Sequence, residues 1–302
     1  MKLSSVTRLL GEGATGTVNA AKWVMGASQL SVAVKRVKGV FGDLGALDTV
    51  SSDMETEIEM LQQVRHPNIV LFYGAGTTPE GTPFLVLELV EFGTLTSYLE
   101  TNSSIPWLSK ISFALDTARG MAYVHERLHR IHRDLKSLNL LVGANLQIKV
   151  ADFGTAAITN LGNPSAQPSG ESALASHHEN NRVRTQRTKG VGTPLWMAPE
   201  ILQGSNTYTL SADVYSYGIV LWEIAAQEMP WNEVPEQGFF LDVLLKLILS
   251  GQRPRVNATW PPAYCELMAQ CWATNAEARP LFGVIVDALE LLRNSCAADA
   301  KE

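Results

Sequence analysis

The chain has 302 residues, a length that predicts about two domains of ordinary size. Hydrophobic residues make up 46% and charged residues 18% of the sequence, which excludes disorder along the whole chain. The net charge of −6 argues against nucleic acid as a partner. The sequence contains no apolar run of about 18 residues, so we expect no direct membrane insertion.

Short apolar or β-branched runs dominate the first third of the chain. They are bounded by glycine, proline and threonine, and they predict five strands: residues 5–10, Val18–Trp23, Val32–Val37, Ile69–Tyr73 and Phe84–Leu89. One helix is predicted between the third and fourth runs, because apolar side chains recur at helical spacing at Met54, Ile58, Leu61 and Val64. Ser52 and Glu55 have the spacing of a capping box at its start.

Helical patterns dominate the chain after residue 94. Six segments suit helices: Leu95–Leu99, Trp107–Leu128, Ala212–Ala226, Leu241–Ile248, Tyr264–Trp272 and Phe282–Leu292. Only two short strand candidates interrupt them, Leu140–Val142 and Ile148–Val150. We predict an α+β fold with a small antiparallel β-sheet N-lobe and one helix at 1–89, a linker at 89–93, and a larger, mainly helical C-lobe at 94–296.

Three cysteines, Cys265, Cys271 and Cys296, include no Cys-x-x-Cys pair. Such a sparse, odd set argues against a disulfide framework and against a zinc site. We therefore expect buried or inert thiols in a reducing compartment, which favours a cytoplasmic location.

Gly11, Gly13, Gly16 and Val18 form a G-x-G-x-x-G-x-V pattern near the start of the chain. Glycines allow the backbone to approach a ligand closely, and the backbone N–H groups can then face a polyphosphate. A dinucleotide-binding motif would need a helix directly after the glycines, whereas a strand-like run follows them here. The pattern alone is compatible with a structural hairpin or with a phosphate-binding loop.

Lys35 directly follows three apolar residues, in the sequence Val-Ala-Val-Lys. Its apolar neighbours predict a strand that is buried on both faces or locally twisted. Such a lysine is either an edge-strand side chain in solvent or a cation for phosphate oxygens, held in place by a carboxylate. Glu57 on the predicted helix is the candidate for that carboxylate, while Glu55 and Glu59 are interpreted as solvated helix positions.

Polar residues are concentrated at 132–139, in the sequence His-Arg-Asp-Leu-Lys-Ser-Leu-Asn before a predicted strand. A further acid, Asp152, begins the sequence Asp-Phe-Gly after the next strand. The plainer interpretations are a solvated charge run and a turn. Two carboxylates and an amide from adjacent hairpin strands nevertheless offer the hard oxygen ligands and the proton acceptor that metal-assisted phosphate chemistry requires.

Five motifs together resemble, in order and approximate spacing, those of eukaryotic protein kinases. They are Gly11–Val18, Lys35 in Val-Ala-Val-Lys, His132–Asn139, Asp152–Gly154 and Ala198–Glu200. The resemblance covers roughly residues 5–295, and Arg65–Val70, Asp213–Gly218 and Arg279-Pro280 agree with it. It implies a bilobal kinase fold that uses ATP and Mg²⁺ and acts on a protein substrate.

The resemblance also implies residue roles. Lys35 would bind the α- and β-phosphates and pair with Glu57. Asp134 would accept or orient the substrate hydroxyl, and Lys136 would lie near the transferred γ-phosphate. The metal ligands would be Asn139 and Asp152.

The ATP-binding positions implied by the resemblance are Gly11, Gly13, Gly16, Val18, Ala33, Lys35, Leu87, Glu88, Val90 and Leu141. Among them, Val18, Ala33 and Leu141 would sandwich the adenine ring, and Leu87 would be the gatekeeper that precedes the hinge. The resemblance further implies a stack of buried side chains, the regulatory column, formed by Leu61, Phe72, His132, Phe153 and Asp213. Glu200 and Arg279 would form a buried ion pair.

Two sets of residues bear on the kinase subclass. Lys136 and the Gly-Thr-Pro sequence at 192–194 resemble serine/threonine kinases, where Thr193 would bond to Asp134 and Lys136 and shape the substrate pocket. Asp213–Glu223 and Cys271-Trp272 resemble tyrosine-kinase-like sequences. The combination resembles the tyrosine-kinase-like group, which includes mixed-lineage and Raf-like kinases, with serine/threonine activity. Dual specificity is the alternative.

The predicted activation segment, residues 152–200, has 49 residues and is longer than is usual in the family. The surplus lies in 159–188, which shows no sustained period and suggests a long surface loop. Thr185 and Thr188 lie among basic residues there, at Arg182, Arg184, Arg187 and Lys189. The hypothesis is that autophosphorylation or an upstream kinase modifies one of them, and that Arg133 helps to bind the phosphate and order the loop. The alternative is a tolerated insertion.

Two other functions compete with an active protein kinase. A pseudokinase scaffold would have lost catalytic groups, whereas the five central positions are chemically intact: Lys35, Glu57, Asp134, Asn139 and Asp152. A small-molecule kinase is disfavoured by Ala198–Glu200 and the helical run after it. The apolar face of Leu241–Ile248 would pack on the core or, less expectedly, contact a partner.

Overall fold

The computed structural model describes residues 2–3, 7–12, 16–26, 28–37, 54–55, 57–79, 81–158, 193–204, 208–234 and 240–299. Its first part is an antiparallel sheet of six strands among these residues: β1 (Lys2–Leu3), β2 (Arg8–Glu12), β3 (Gly16–Met25), β4 (Ser28–Val37), β5 (Phe72–Thr77) and β6 (Pro83–Glu88). The order across the sheet is β1-β3-β4-β6-β5, and β2 also pairs with β3. β4 is therefore an inner strand of the sheet.

One helix, α1, packs against the sheet and is helical at 54–55 and 57–63. Met60 and Leu61 are buried on its inner face, in the same core as Leu85 of β6. Ser52 lies outside the described residues, so the capping box stays a prediction. Val64 is buried but follows the last helical residue.

The predicted strand Ile69–Tyr73 is wrong in its first half, because the strand begins at Phe72. Residues 68–70 are bonded to the second part of the molecule instead. The Val70 N–H donates to Val150 O at 2.9 Å, and the Val150 N–H donates to Asn68 O at 2.9 Å. Gly120 allows this approach, since a Cβ there would lie 2.6 Å from Asn68 O.

The second part is mainly helical. Its helices are α2 (Leu95–Thr101), α3 (Trp107–Ala122), α4 (Pro199–Leu202), α5 (Leu210–Ala226), α6 (Phe240–Leu249), α7 (Pro262–Cys271) and α8 (Phe282–Asp299). Two short antiparallel strand pairs accompany them: β7 (Arg130–Ile131) with β10 (Ala157–Ile158), and the hairpin of β8 (Leu140–Val142) with β9 (Ile148–Val150). The predicted α+β class, a sheet with one helix followed by a mostly helical part, is confirmed.

Several boundaries differ from the prediction. The helix expected at Trp107–Leu128 is α-helical to Ala122 and continues as a π-helical turn, Tyr123–Arg127. Helix α8 runs to Asp299, beyond the predicted Leu292. The strands β7 and β10 were missed, because two residues each are too few to show a period.

Helix α5 is the centre of the second part and is buried along nearly its whole length. A Cβ on Gly218 would lie 2.9 Å from the backbone nitrogen and the Cβ of Trp272, so glycine sets the close contact between α5 and the end of α7. Helix α6 packs more loosely: Leu244 and Ile248 are buried, whereas Leu241 and Val243 are exposed. Core packing thus accounts for part of its apolar face.

The cysteines are free thiols: Cys271 is buried and the other two are half-buried. Burial raises the pKa of the Cys271 thiol. Among the described residues, no helix is both long and apolar enough to cross a membrane.

The predicted ion pair between Glu200 and Arg279 is present, but it is buried only on the arginine side, because the Glu200 side chain is 26% exposed. The guanidinium of Arg279 donates to both carboxylate oxygens, at 2.7 and 2.9 Å, and its side chain has no solvent exposure. It also donates to the carbonyls of Ala273 and Ser211. One arginine therefore joins α4, the start of α5 and the loop after α7, in the bidentate geometry that makes such pairs strong.

We predict that Arg279→Met lowers the free energy of unfolding by about 3 kcal/mol, because it leaves a carboxylate and several carbonyls without their donor. Urea denaturation measures this loss. The matched control is Arg119→Met, whose ion pair with Glu290 is 35% and 43% exposed and should contribute less than about 1 kcal/mol. Equal losses for the two variants would contradict the prediction.

Candidate active site

Lys35 lies on the inner strand β4, paired with Val18 of β3 on one side and Leu85 of β6 on the other. It is only 8% exposed, so the edge-strand interpretation is wrong. Its Nζ is 2.6 Å from Oε2 of Glu57 and 2.8 Å from Oδ1 of Asp152. One ammonium group thus joins the sheet, helix α1 and the segment after β9.

The two carboxylates control the charge of this lysine. Burial alone would lower the pKa of Lys35, but the charges of Glu57 and Asp152 raise it on balance. Burial would likewise raise the pKa of Asp152, and the nearby Lys35 charge lowers it on balance. The site therefore holds a lysine that stays protonated and an aspartate that stays ionised at neutral pH.

Glu57 is the acid of α1 that turns inward. It is 2% exposed, whereas Glu55 and Glu59 are exposed. Leu61, one helical turn further on, is also buried, so Glu57 belongs to the face of α1 that packs on the core. The pairing of Lys35 with Glu57 is confirmed.

Residues 132–139, which the resemblance to protein kinases predicts to be the catalytic loop, place their polar groups close together. Nζ of Lys136 lies 2.6 Å from Oδ2 of Asp134, and Nδ2 of Asn139 donates to that same oxygen at 3.0 Å. The Asn139 amide also donates to the backbone carbonyl of Asp134 at 2.7 Å. These bonds fix the Asp134 carboxylate between a cation and an amide.

A hydrogen bond between the backbones connects this loop to Asp152. Strands β8 and β9 pair Leu140 with Val150, and the Ala151 N–H donates to Asn139 O at 2.9 Å. Asn139 and Asp152 therefore leave adjacent strands at the same end of the hairpin. The carboxylate of Asp152 is 32% exposed and, with the amide of Asn139, forms a hard-oxygen donor set that suits Mg²⁺.

Helix α5 holds the start of the loop through Asp213, which is 1% exposed. Its carboxylate accepts the N–H of His132 at 2.7 Å, the N–H of Arg133 at 2.9 Å and a bond from Nε2 of His125 at 2.8 Å. Burial would raise the pKa of Asp213, but these hydrogen bonds and nearby histidines lower it on balance. The backbone at Arg133 is left-handed, with φ of 68°, a strained state that such bonds can maintain.

Members of the predicted regulatory column are all buried in the core of the molecule. The rings of His132 and Phe153 are 4.9 Å apart, and Nε2 of His132 lies 3.1 Å from Ala151 O. Leu61, Phe72 and Phe153 belong to one continuous apolar cluster. Asp213 meets this cluster through the His132 backbone, which connects α5 with the interior of the site.

Around the predicted adenine position, Ala33 and Leu87 are buried, and Val18 and Leu141 are half-buried against the core. The Glu88 side chain turns away from this position, because Oε1 accepts the Leu71 N–H at 2.7 Å and pairs with Lys149 at 2.8 Å. The Glu88 N–H also donates to Leu71 O at 2.9 Å, so the carbonyl is the backbone group of Glu88 that remains for a ligand. Val90, which follows in the linker, is buried.

Two predicted glycines are described. Gly11 has open space at its Cβ position, and Gly16 has a φ of 156° at the start of β3. Gly13 lies outside the described residues, as do Thr185 and Thr188. The backbone of Thr193 begins a 3-10 turn, Thr193–Trp196, while its side chain lies outside what the structure describes.

Sequence reasoning missed Tyr208 and Lys149, which both lie next to the site. The guanidinium of Arg133 lies over the ring of Tyr208, 5.2 Å from its centre. Lys149 holds the Glu88 carboxylate behind the linker. Neither carries a local sequence signal, because each acts on a residue more than 50 positions away.

Residues 4–289 match the family described as Protein kinase domain. The chain belongs to this family, whose members are ATP-binding transferases. The match agrees with the resemblance inferred from the motifs, including its assignment to the tyrosine-kinase-like group.

Relatives include the dual specificity protein kinase shkA of Dictyostelium discoideum, 32% identical over 96% of this chain and 50% of that protein. The probable serine/threonine-protein kinase drkD of the same organism is 36% identical over 97% of the chain and 20% of that protein. Mitogen-activated protein kinase kinase kinase 7 of Bos taurus is 31% identical over 97% of the chain and 45% of that protein. The chain thus spans half or less of the length of these relatives.

We predict that Lys35→Met lowers the free energy of unfolding by about 3 kcal/mol, because it leaves the Glu57 carboxylate buried without its cation. Adding Glu57→Gln should recover part of this loss, since the uncompensated charge is then absent. A double-mutant cycle in urea measures the coupling. The control is Lys22→Met on the neighbouring strand, an exposed site expected to change stability by less than about 0.5 kcal/mol. Additive losses at 35 and 57 would contradict the prediction.

Proposed function

We propose that this protein kinase transfers the γ-phosphate of ATP to serine and threonine hydroxyls of protein substrates in a signalling pathway. The observation that carries the proposal is the linked set of charged side chains around Lys35 and Asp134. Glu57, Lys35 and Asp152 form one chain of ion pairs, and Asp134, Lys136 and Asn139 form a second group joined to it through Ala151. Phosphoryl transfer needs this combination of positioning and charge neutralisation.

Each group has a role in this proposal. Asp134 orients the substrate hydroxyl and accepts its proton, and Lys136 stabilises the charge of the transferred phosphate. Lys35 binds the α- and β-phosphates. Asn139 and Asp152 would hold Mg²⁺, which neutralises phosphate charge when it is bound. The short bonds that fix Asp134 and Lys35 support these assignments, because a fixed group loses little entropy on binding.

The adenine ring would lie between the half-buried Val18 and Leu141, next to Ala33, with Leu87 limiting the depth of the pocket. Gly11, Gly13 and Gly16 would cover the phosphates. Hydrogen bonds to adenine would come from the linker backbone at Glu88 and Val90. The engagement of the Glu88 side chain by Lys149 supports a backbone role there.

Serine and threonine are the proposed acceptors because Lys136 and Gly-Thr-Pro at 192–194 follow the serine/threonine pattern, with Thr193 shaping the substrate pocket. The name of drkD, a probable serine/threonine-protein kinase, supports the same specificity. Dual specificity is the second candidate, favoured by the name of shkA.

The activation segment supplies the proposed regulation. A phosphate on Thr185 or Thr188, added by the enzyme itself or by an upstream kinase, would bind Arg133 and the basic residues around it. Arg133 supports this role by its position: its backbone is fixed by Asp213, and its guanidinium lies over Tyr208 rather than in an ion pair with Asp213.

We predict that Asp134→Asn reduces phosphate transfer to a generic protein substrate by about a thousandfold, because the variant keeps the shape of the side chain but not its basicity. Chelation of Mg²⁺ should abolish transfer, and Lys35→Met should also be inactive. Radiolabelled transfer to serine, threonine and tyrosine acceptor peptides measures rate and specificity, with Lys22→Met as the active control. If the wild type transfers no more phosphate than Asp134→Asn, whether or not the activation segment is phosphorylated, the result would contradict the kinase proposal and favour a pseudokinase scaffold.

A second prediction concerns the activation segment. Incubation with ATP and Mg²⁺ should add phosphate to Thr185 or Thr188, as detected by mass spectrometry, and should raise the transfer rate. Thr185→Ala with Thr188→Ala should remove the increase, and Arg133→Ala should blunt it in the phosphorylated enzyme. An active preparation without phosphate on this segment would contradict autophosphorylation as the source.

A further inference from the structure

Glu223 is a buried carboxylate outside the groups used above. It lies on α5 and is 2% exposed. Its Oε1 accepts the hydroxyl of Ser137 at 2.5 Å, and its Oε2 accepts the indole N–H of Trp196 at 2.6 Å. Ser137 is also 2.7 Å from the hydroxyl of Thr96 on α2. We call these four residues the Glu223 cluster.

The cluster touches both segments that a protein substrate would meet. Ser137 follows Lys136 directly in the catalytic loop, and the 3-10 turn that it begins ends at Asn139. Trp196 ends the turn that starts at Thr193 and precedes α4. Helix α5 also binds the Trp196 carbonyl through the hydroxyl of Ser216 at 2.8 Å. Glu223 therefore bonds the catalytic loop and the 193–196 turn to one rigid helix.

The hydrogen bonds can be satisfied in both charge states of the carboxyl. Burial raises the pKa of Glu223 to about 8, against the bonds from Ser137 and Trp196 that lower it. The indole can only donate, so Oε2 accepts in either state. At Oε1 a protonated carboxyl donates to Ser137, whose hydroxyl then turns to Thr96. The geometry of the cluster therefore depends on hydrogen bonds rather than on charge.

We propose that Glu223 is a positioning residue for phosphoryl transfer, which fixes Lys136 and Asn139 relative to the 193–196 turn through Ser137 and Trp196. The proposal rests on the kinase function proposed above. It follows that glutamine at 223 can replace glutamate, because its oxygen accepts from Trp196 and its amide donates to Ser137. Leucine at 223 leaves the Trp196 indole N–H buried and unpaired and removes the bond that joins Ser137 to α5, which frees the two segments to move apart.

The test compares wild type, Glu223→Leu and Glu223→Gln in the full chain, at a temperature well below each unfolding midpoint. We expect Glu223→Leu to lower kcat about tenfold or more, with little change in KM for ATP, because small displacements of reacting groups are costly. Amide hydrogen exchange should become faster at 134–139 and 193–197. Glu223→Gln should restore both measurements to near wild type.

The matched control is Glu228→Leu, since Glu228 is an exposed acid just after α5 that accepts a local hydrogen bond from Asn232 at 2.7 Å. It should change neither kcat nor exchange. A merely structural role for Glu223 would lower the unfolding midpoint of Glu223→Leu and leave kcat and exchange of the folded enzyme unchanged, which would overturn the proposal. Glutamine behaving like leucine would overturn it as well.

If Glu223→Leu does not fold, the variants Ser137→Ala and Trp196→Phe test the positioning role instead, because each removes one hydrogen-bond donor and keeps the Glu223 carboxyl. A loss of about threefold or more in kcat for each, with faster exchange in both segments, supports the proposal, and unchanged values overturn it. If the wild type transfers no phosphate, the proposed kinase function fails. Hydrogen exchange in Glu223→Leu and Glu223→Gln then decides the positioning role alone.

Discussion

The carboxylate of Asp213 accepts two consecutive backbone N–H groups, from His132 and Arg133, and a bond from the ring of His125. A charge without access to water is very costly unless hydrogen bonds replace its hydration, so the loop can leave Asp213 only at that cost. The left-handed backbone at Arg133 depends on the same bonds. The position of Asp134, the next residue, is thereby set from the centre of helix α5.

Helix α5 provides two such anchors. Asp213 lies near its N-terminus, where a negative charge is favourable, and Glu223 lies ten residues further along. A rise of about 1.5 Å per residue separates them by roughly 15 Å, which spans the catalytic loop from its first residues to Ser137. The loop has little regular structure of its own. Its geometry is instead imposed from a helix whose burial makes it rigid.

Local patterns in the sequence were sufficient for the class of fold and for most elements. β8 and β9 have the predicted bounds, and the motif order led to Lys35, Glu57, Asp134, Asn139 and Asp152. Glu57 was chosen over Glu55 and Glu59 by resemblance, and its burial gives the physical reason. Contacts between residues far apart in the chain could not be predicted from local patterns. Ser137 and Glu223 are 86 residues apart, and the sequence around neither residue indicates the contact. The boundary at Ile69 was missed because its partner, Val150, lies in the other part of the molecule.

Residues 68–70 precede β5 and β6 in the chain, yet their backbone bonds join them to β9, and Asn68 packs against α3 at Gly120. In any rigid-body motion between the sheet and the helices, we expect this stretch to travel with the helices. The chain then crosses between the two parts three times: from α1 into residue 68, back through residue 71 into β5, and through the linker after Glu88. The last two crossings lie side by side, because Leu71 and Glu88 are hydrogen-bonded to each other. The three crossings thus lie at two places, which permits rotation about the line that joins the two places and resists twisting across it. The sheet and the helical part would therefore move relative to each other about a single axis.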